Sequence, residues 1–483
     1  MGTGLLAVVL LGVGWAWWGS RLPAAYSSES MGVADFGGGP GSGDGHHAGG
    51  HGAAAASVTD FVADASRAAD VRVGLVARAE RITLPGGQTF EGYTLNGQTP
   101  GPTLRARQGD LVEVEFRNES VPGGATLHWH GLDVPNAMDG VAGVTQDAVA
   151  PGATFVYRFV AEQAGTFWYH SHQISHAQVL GGLFGALVIE PSTGQQIGPE
   201  ALLVLHTYPG TSRMLNGRMG DVPYEAHPGD LVRVRVINTD NAPTVVWVPG
   251  ARFRLLAIDG TEVNGPTDVA DQKVTVTAGG RVDLEVRVPD RGAVRVQAPG
   301  AALVLGPEGA TAPGGPAPAA ELDPLSYGSP APLGFDPTTA DRRFDYGIGR
   351  FPGFLDGRPG YWWTINGRMG KDVPMFMVRE GDVATMRISN QSGEVHPMHL
   401  HGHHVVVLAR DGVPATGSPW WVDSLNVEHG QSYDVAFVAD NPGIWMDHCH
   451  NLPHAAEGLM THLMYEGVGT PYLMGVESGN EPE

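Results

Sequence analysis

Positive charge is scarce in this 483-residue chain. Its 29 lysines and arginines stand against 51 aspartates and glutamates, a formal net charge of −22. Nucleic-acid binding needs a basic surface, so nucleic acid is excluded as a partner. The acidic surplus is compatible with attraction of cations and equally with a plain solvated surface. Cysteine is scarcer still: Cys449 is alone, and no intramolecular disulfide can form. A long hydrophobic run is missing too. The apolar stretch from Leu5 to Trp18, LLAVVLLGVGWAWW, is shorter than the roughly 20 residues of a comfortable membrane span. It fits a signal-peptide core or a shallow anchor, although positive charges before it are absent and Arg21 follows it. Residues 1–26 are therefore read as a signal or membrane-anchor segment. That implies export to the cell envelope or beyond, with a membrane tether as one form.

What is abundant is glycine and proline, 70 and 36 residues, together with many alternating valine-rich runs. This combination favours an all-β protein with numerous turns. At roughly 150 residues per domain the length suggests three domains. Residues 27–65 are Gly-, Ser- and Ala-rich and read as a flexible linker, with His46, His47 and His51 as stray metal-binding candidates. Residues 307–340, rich in Pro, Ala and Gly, read as a second linker. Between them a pattern recurs three times: an Asn-Gly turn, then Gly-Asp, then an alternating strand. The turns are Asn96-Gly97, Asn216-Gly217 and Asn366-Gly367, and the Gly-Asp pairs are Gly109-Asp110, Gly229-Asp230 and Gly381-Asp382. Three copies at this spacing imply three similar β-sandwich domains, over 66–192, 199–306 and 341–470.

The copies diverge after the shared strand. The first continues to His128-Trp129-His130 and the third to His396-Pro397-Met398-His399-Leu400-His401. The second has Val246-Trp247-Val248, the tryptophan kept and both flanking positions valine. Near the end of each domain the first has His170-Ser171-His172 and the third His448-Cys449-His450, whereas the second has Gln297-Ala298-Pro299. The outer domains thus carry paired histidines at matching places, and the middle one is expected to be a spacer or platform. On a strand, residues i and i+2 share a face roughly 6.6–7 Å apart, so a His-x-His pair reaches two metal ions better than it chelates one. Eight imidazoles are too many for one ion and suit about three.

Cys449 lies between two of these histidines, with His454 five residues on and His396 in the other cluster. Two imidazoles and a thiolate form the trigonal set of a blue-copper site. A structural zinc site is the competing reading, but it leaves the other eight histidines unexplained. The four segments together resemble the copper signatures of the multicopper oxidases, a family that includes laccases and bacterial cuprous oxidases. The run His448-Cys449-His450-Asn451-Leu452-Pro453-His454 is most similar to actinobacterial copper-tolerance oxidases.

The resemblance implies three cupredoxin-like Greek-key domains and four copper ions per chain. It implies His396, Cys449 and His454 at a type 1 copper and His128 and His399 at a type 2 copper. It implies His130, His170 and His450 at one type 3 copper, and His172, His401 and His448 at the other. It also implies O2 as the electron acceptor, a small reducing substrate or metal ion as donor (phenols, aryl amines, Cu(I) or Fe(II)), and a role in copper tolerance. Asp139 stands where the family keeps an acid near the cluster, and O2 reduction to water consumes protons. The second acid of some bacterial relatives is replaced by Ala455, and Glu457 is left unassigned. The axial position beside the type 1 copper falls on Leu459; a one-residue offset would bring Met460 there instead. Trp420 and Trp421 are candidates for a substrate surface or for core. The alternatives are a copper nitrite reductase-like enzyme, which needs only one histidine-bound catalytic copper, and a non-catalytic copper-binding protein.

Overall fold

The three Asn-Gly turns adopt one conformation. Asn96, Asn216 and Asn366 have φ of 55°, 50° and 53°, and the following glycines 76°, 72° and 73°. Two successive left-handed residues make a turn whose twist matches paired strands. Each asparagine also clamps a neighbouring strand. Its carboxamide oxygen accepts from the N–H of Val76, Val204 or Gly347, and its Nδ2 donates to the carbonyl of Gly74, Leu202 or Asp345. The aspartates of the Gly-Asp pairs likewise accept from the N–H three residues back, at Arg107, His227 and Arg379. The repeat in sequence is thus a repeat in hydrogen bonding.

The computed structural model describes residues 2–39, 55–192 and 198–482. These fold into three cupredoxin-like β-sandwiches in chain order. In the first, a sheet of Thr89–Leu95, Val71–Thr83, Leu111–Asn118 and Thr154–Val160 faces a sheet of Leu104–Arg107, Phe184–Glu190, Gly165–His170 and His128–His130. Phe116, Trp129, Tyr157 and Tyr169 fill the space between. The second packs a six-stranded sheet on a five-stranded one, with a core almost wholly of valine, leucine and alanine. The third sets a seven-stranded sheet against a six-stranded sheet that includes His396–Leu400, Ile444–Cys449 and Met460–Tyr465. Its core holds Trp363, Phe376, Trp445, Cys449 and Leu459.

Both stretches expected to be free linkers are docked at several points among their described residues. Val33–Asp35 adds a parallel strand to the third sandwich beside Pro374–Val378, Ala56–Ser57 pairs with Val468–Gly469, and Val58 is fully buried. His46, His47 and His51 lie outside the described residues. Glu321 bridges to Lys273; Leu322 and Tyr327 enter the second core, while Leu325 enters the third. These few apolar residues among Pro, Ala and Gly are sufficient to anchor the strap, because burying one leucine contributes about 1.5–3 kcal/mol.

Gly2–Gly19 is helical, and its last turn and the chain just beyond touch the third sandwich, where Trp17 donates to the carbonyl of Gly357 and the Leu22 N–H to Asp356. No helix among the described residues is long and apolar enough to cross a membrane. At the other end, Asn480 bonds to Asp147 and Ala148 of the first sandwich, and Tyr26 pairs with Met474.

Candidate metal centres

Strand pairing gathers the histidines. In the first sandwich His128 lies opposite His170 on antiparallel strands; in the third His399 lies opposite His448. The two faces meet with their rings interleaved, His128 stacked on His401 at 3.8 Å and His130 on His399 at 3.7 Å between centroids. Three triads result, the first two sharing His130: His128, His130 and His399; His130, His170 and His450; and His172, His401 and His448, each with ligand atoms within 4.8 Å of one another. All eight imidazoles are buried.

Second contacts fix which nitrogen is free. Backbone carbonyls can only accept, so a ring nitrogen bonded to one must carry the hydrogen and leave the other nitrogen with its lone pair. Nδ1 of His128, His399, His170 and His448 donates to the carbonyls of Asp139, Asp423, Ser171 and Cys449, at 2.9, 2.9, 2.9 and 3.1 Å. Their Nε2 atoms point inward: His128 and His399 approach to 3.4 Å, and His448 reaches His401 at 3.2 Å and His172 at 3.4 Å. His130 is reversed, with Nε2 on Asp423 and Ser424, both at 3.1 Å, and Nδ1 unpartnered. Nε2 of His170 and both nitrogens of His450 also lack a partner. Burial, then repulsion among neighbouring imidazoles, holds His130, His170, His172, His399, His401 and His450 well below the usual histidine range, and burial brings His448 down to about 3. Neutral, oriented, unsatisfied imidazoles are what a metal cluster requires, and without one they would incur desolvation uncompensated.

A second centre lies one residue away on the same strand. Alternation along Ile444–Cys449 turns His448 to the cluster and Cys449 into the third core. Cys449 Sγ lies 3.5 Å from Nδ1 of His396 and 3.9 Å from Nδ1 of His454, and these two nitrogens are 3.2 Å apart. Ser392 holds the far nitrogen of His396 at 2.7 Å, and Asn451 that of His454 at 3.1 Å. Burial pushes the thiol upward, so the thiolate needs a cation beside it, and a metal ion supplies that charge. Leu459 shares the core with Cys449 and accepts its N–H through the backbone. Met460 faces the other side of the sheet among Met375, Met446 and Met464, so the one-residue offset does not occur.

Asp139 is buried between the halves, Oδ1 at 3.1 Å from Nδ1 of His128 and Oδ2 at 3.1 Å from Nδ1 of His401. Glu457 instead accepts from Trp363 Nε1, and that indole packs on His396 and His454. Trp420 borders a cavity of about 520 Å³ between the second and third sandwiches, and Trp421 packs near Phe335.

Sequence reasoning missed Asp423 and Arg281. Asp423 contacts His130 and His404 and receives both terminal nitrogens of Arg281 at 2.7 and 2.6 Å. Burial would raise this carboxyl, but Arg281 and the histidines outweigh it and hold Asp423 well below the usual range. Arg281 belongs to the middle sandwich and also donates to the carbonyl of Thr166. Gly279, two residues before it, lies so close to His130 and His450 that a Cβ there would stand 2.8 and 2.9 Å from their rings. The middle sandwich is therefore more than a spacer: it forms one wall of the cluster without supplying a ligand. Neither residue lies in a motif, and Arg281 reads as one polar position in an ordinary alternating strand.

Three cupredoxin-like sandwiches, with a thiolate–imidazole centre joined through one cysteine to an eight-imidazole cluster, define a redox metalloprotein of the copper type. Family models described as multicopper oxidase match residues 77–194 and 352–467. The multicopper oxidase MmcO of Mycobacterium tuberculosis is 29% identical over 461 residues, covering 82% of this chain and 87% of that protein. Laccase-2 of Botryotinia fuckeliana is also 29% identical, over 78% of each chain. Among solved structures, a multi-copper oxidase from Pseudomonas thermotolerans superposes with a TM-score of 0.69 at 29% identity, over 82% of this chain and 98% of that one. The chain belongs to the multicopper oxidase family. It is a copper-dependent oxidoreductase with O2 as electron acceptor.

Proposed function

We propose that this chain carries four coppers and oxidises a cationic one-electron donor, Fe(II) or Cu(I), at the edge of His454. The observation behind the four-copper reading is the position of Cys449, a ligand candidate of one centre, between His448 and His450 of the other on one strand. His396, Cys449 and His454 are assigned to type 1 copper, and His128 and His399 to type 2. One type 3 copper takes His130, His170 and His450, and the other His172, His401 and His448. Bound copper supplies one-electron exchange at the thiolate centre and four-electron reduction of O2 at the cluster. Leu459, packed in the core beside Cys449, has no donor atom in its side chain, so a copper held by His396, Cys449 and His454 would gain no further ligand from it and would favour Cu(I).

The protein's own groups provide the rest. Cys449 continues covalently into both flanking histidines, so an electron accepted at its sulfur has a through-bond route to the cluster. Asp139, held against His128 and His401, is proposed to carry protons to the oxygen being reduced. His454 is the most exposed of the proposed ligands, at 9%. Glu394 lies 3.4 Å from its Nε2 and is half-exposed, so an arriving cation meets a carboxylate at the point of transfer. This favours a metal ion over a neutral phenol. Oxidation of Cu(I) would give a role in copper tolerance. The apolar N-terminal helix, with Leu11, Trp15 and Trp18 exposed, supports export and a membrane tether.

The test combines copper content with steady-state rates for Fe(II), Cu(I) and a phenol. About four coppers per chain are expected; about two, one at the thiolate centre and one bound by histidines alone, would favour a nitrite reductase-like enzyme, and none a scaffold. Glu394→Gln should raise KM for Fe(II) about tenfold, a loss of about 1.4 kcal/mol, and leave the phenol unchanged. An equal effect on both substrates would refute the metal-ion assignment.

A further inference from the structure

Beyond the two centres, the cluster-bearing face of the third sandwich changes from imidazole to thioether. Across Ile444–Cys449 and Met460–Tyr465, His448 is paired with Met460, Met446 with His462 and Ile444 with Met464. The adjoining strand Pro374–Val378 adds Met375 and Met377, and the two chain ends bring Met31 and Met474 over the same face. Half of the protein's 14 methionines gather here. A cavity of about 510 Å³ opens among Met31, Met460, Met474 and His462.

His462 is the anomaly. It is 3% exposed, and neither ring nitrogen has a hydrogen-bond partner. Burial brings its pKa down to about 4, so the ring is neutral with a lone pair free. Leaving such polar atoms unsatisfied costs about 1–3 kcal/mol each. Thioethers are weak acceptors and do not remedy this. One imidazole with two or three thioethers is a donor set for a soft monovalent ion; hard cations require oxygen.

We propose that His462, Met460 and Met474 bind one Cu(I) ion in this cavity, at a site separate from both redox centres, from which copper passes to His448 and into the cluster. Met460 and His448 are directly opposed, and such pairs have Cβ atoms about 4.5–5.5 Å apart. A short side-chain movement therefore spans the step. The proposal is independent of which donor is oxidised at His454.

Ag(I) is a redox-inert probe for such a site and is used on the copper-loaded protein, whose redox centres are filled. One Ag(I) per chain is expected in competition with a soluble chelator. Affinity should fall about tenfold or more in Met474→Leu and in His462→Leu, equivalent to about 1.4 kcal/mol. Met474→Leu nearly conserves volume, so it guards against misfolding as the explanation. No Ag(I) bound, or unchanged affinity in both variants, overturns the site. In metal-free protein offered Cu(I)–glutathione, Met474→Leu should slow copper uptake while reaching the same final content. Uptake at the parent rate overturns the staging role.

Discussion

At the residue scale, the thiolate and the buried carboxylate act on different halves of the reaction. Cys449 is the protein's single thiol, so replacing it leaves no substitute sulfur ligand. Cys449→Ser is expected to remove the intense blue absorption and abolish substrate oxidation; a copper-loaded variant that stays blue would show the assignment of the centre to be wrong. Asp139→Asn nearly keeps the shape of the carboxylate but cannot carry a proton at neutral pH. It should slow reoxidation by O2 about 10²-fold, toward the lower end of general acid–base effects, and leave anaerobic bleaching by substrate normal. Slow bleaching alone would move Asp139 to the substrate side. Both residues were legible from sequence because each sits in or just after a histidine motif. Asp423 was not, because its importance comes from His130, Arg281 and His404, which come from three distant parts of the chain.

At the element scale, the strand Arg281–Arg287 shows how a sandwich without ligands controls a cluster it does not bind. Arg281 is wholly buried and neutralises Asp423 with two hydrogen bonds. Removing one partner of a buried ion pair leaves the other charge uncompensated, typically at about 3–5 kcal/mol. Arg281→Met should lower Tm and reduce copper retained per chain after dialysis, since Asp423 orients His130 by its carboxylate and His399 by its carbonyl. Retention of full copper with an unchanged Tm would reduce Arg281 to packing. The sequence disclosed the three sandwiches well, since the Asn-Gly and Gly-Asp signals act through local backbone geometry. It misled at the straps, where Gly, Ser, Ala and Pro composition hid the few residues that dock, such as Val58 and Leu325. Composition averages over a segment, whereas docking depends on single side chains meeting a surface formed elsewhere.

At the scale of the whole molecule, the cluster makes the metal-free protein sensitive to acid. His448 and His396 are brought down to about 3, the first by burial and the second by burial and then the nearby His454 and Arg350. An unfolded histidine titrates near 6.5. Between about pH 3 and 6.5 the unfolded chain therefore binds more protons than the folded one, so stability rises with pH across that window and falls on acidification. Each such group contributes up to about 1.4 kcal/mol per pH unit. The Tm of metal-free protein should drop by at least about 5 °C from pH 7 to pH 5, and that of copper-loaded protein by much less, because the ligating lone pairs are occupied. Equal drops would mean that the imidazoles are not held neutral by the fold.

The clasp between the two chain ends bears on the order of events during biosynthesis. Tyr26 is fastened to Met474, Asn480 ties down the first sandwich, and the cluster draws histidines from positions 128 to 450. The first two sandwiches can fold as they leave the ribosome, since each has a core of its own. The cluster cannot close until translation has passed the last of these histidines, and the clasp cannot close until it has passed Asn480. Completion of both centres is thereby a late step, and a nascent chain interrupted before His454 has a folded scaffold and an incomplete ligand set.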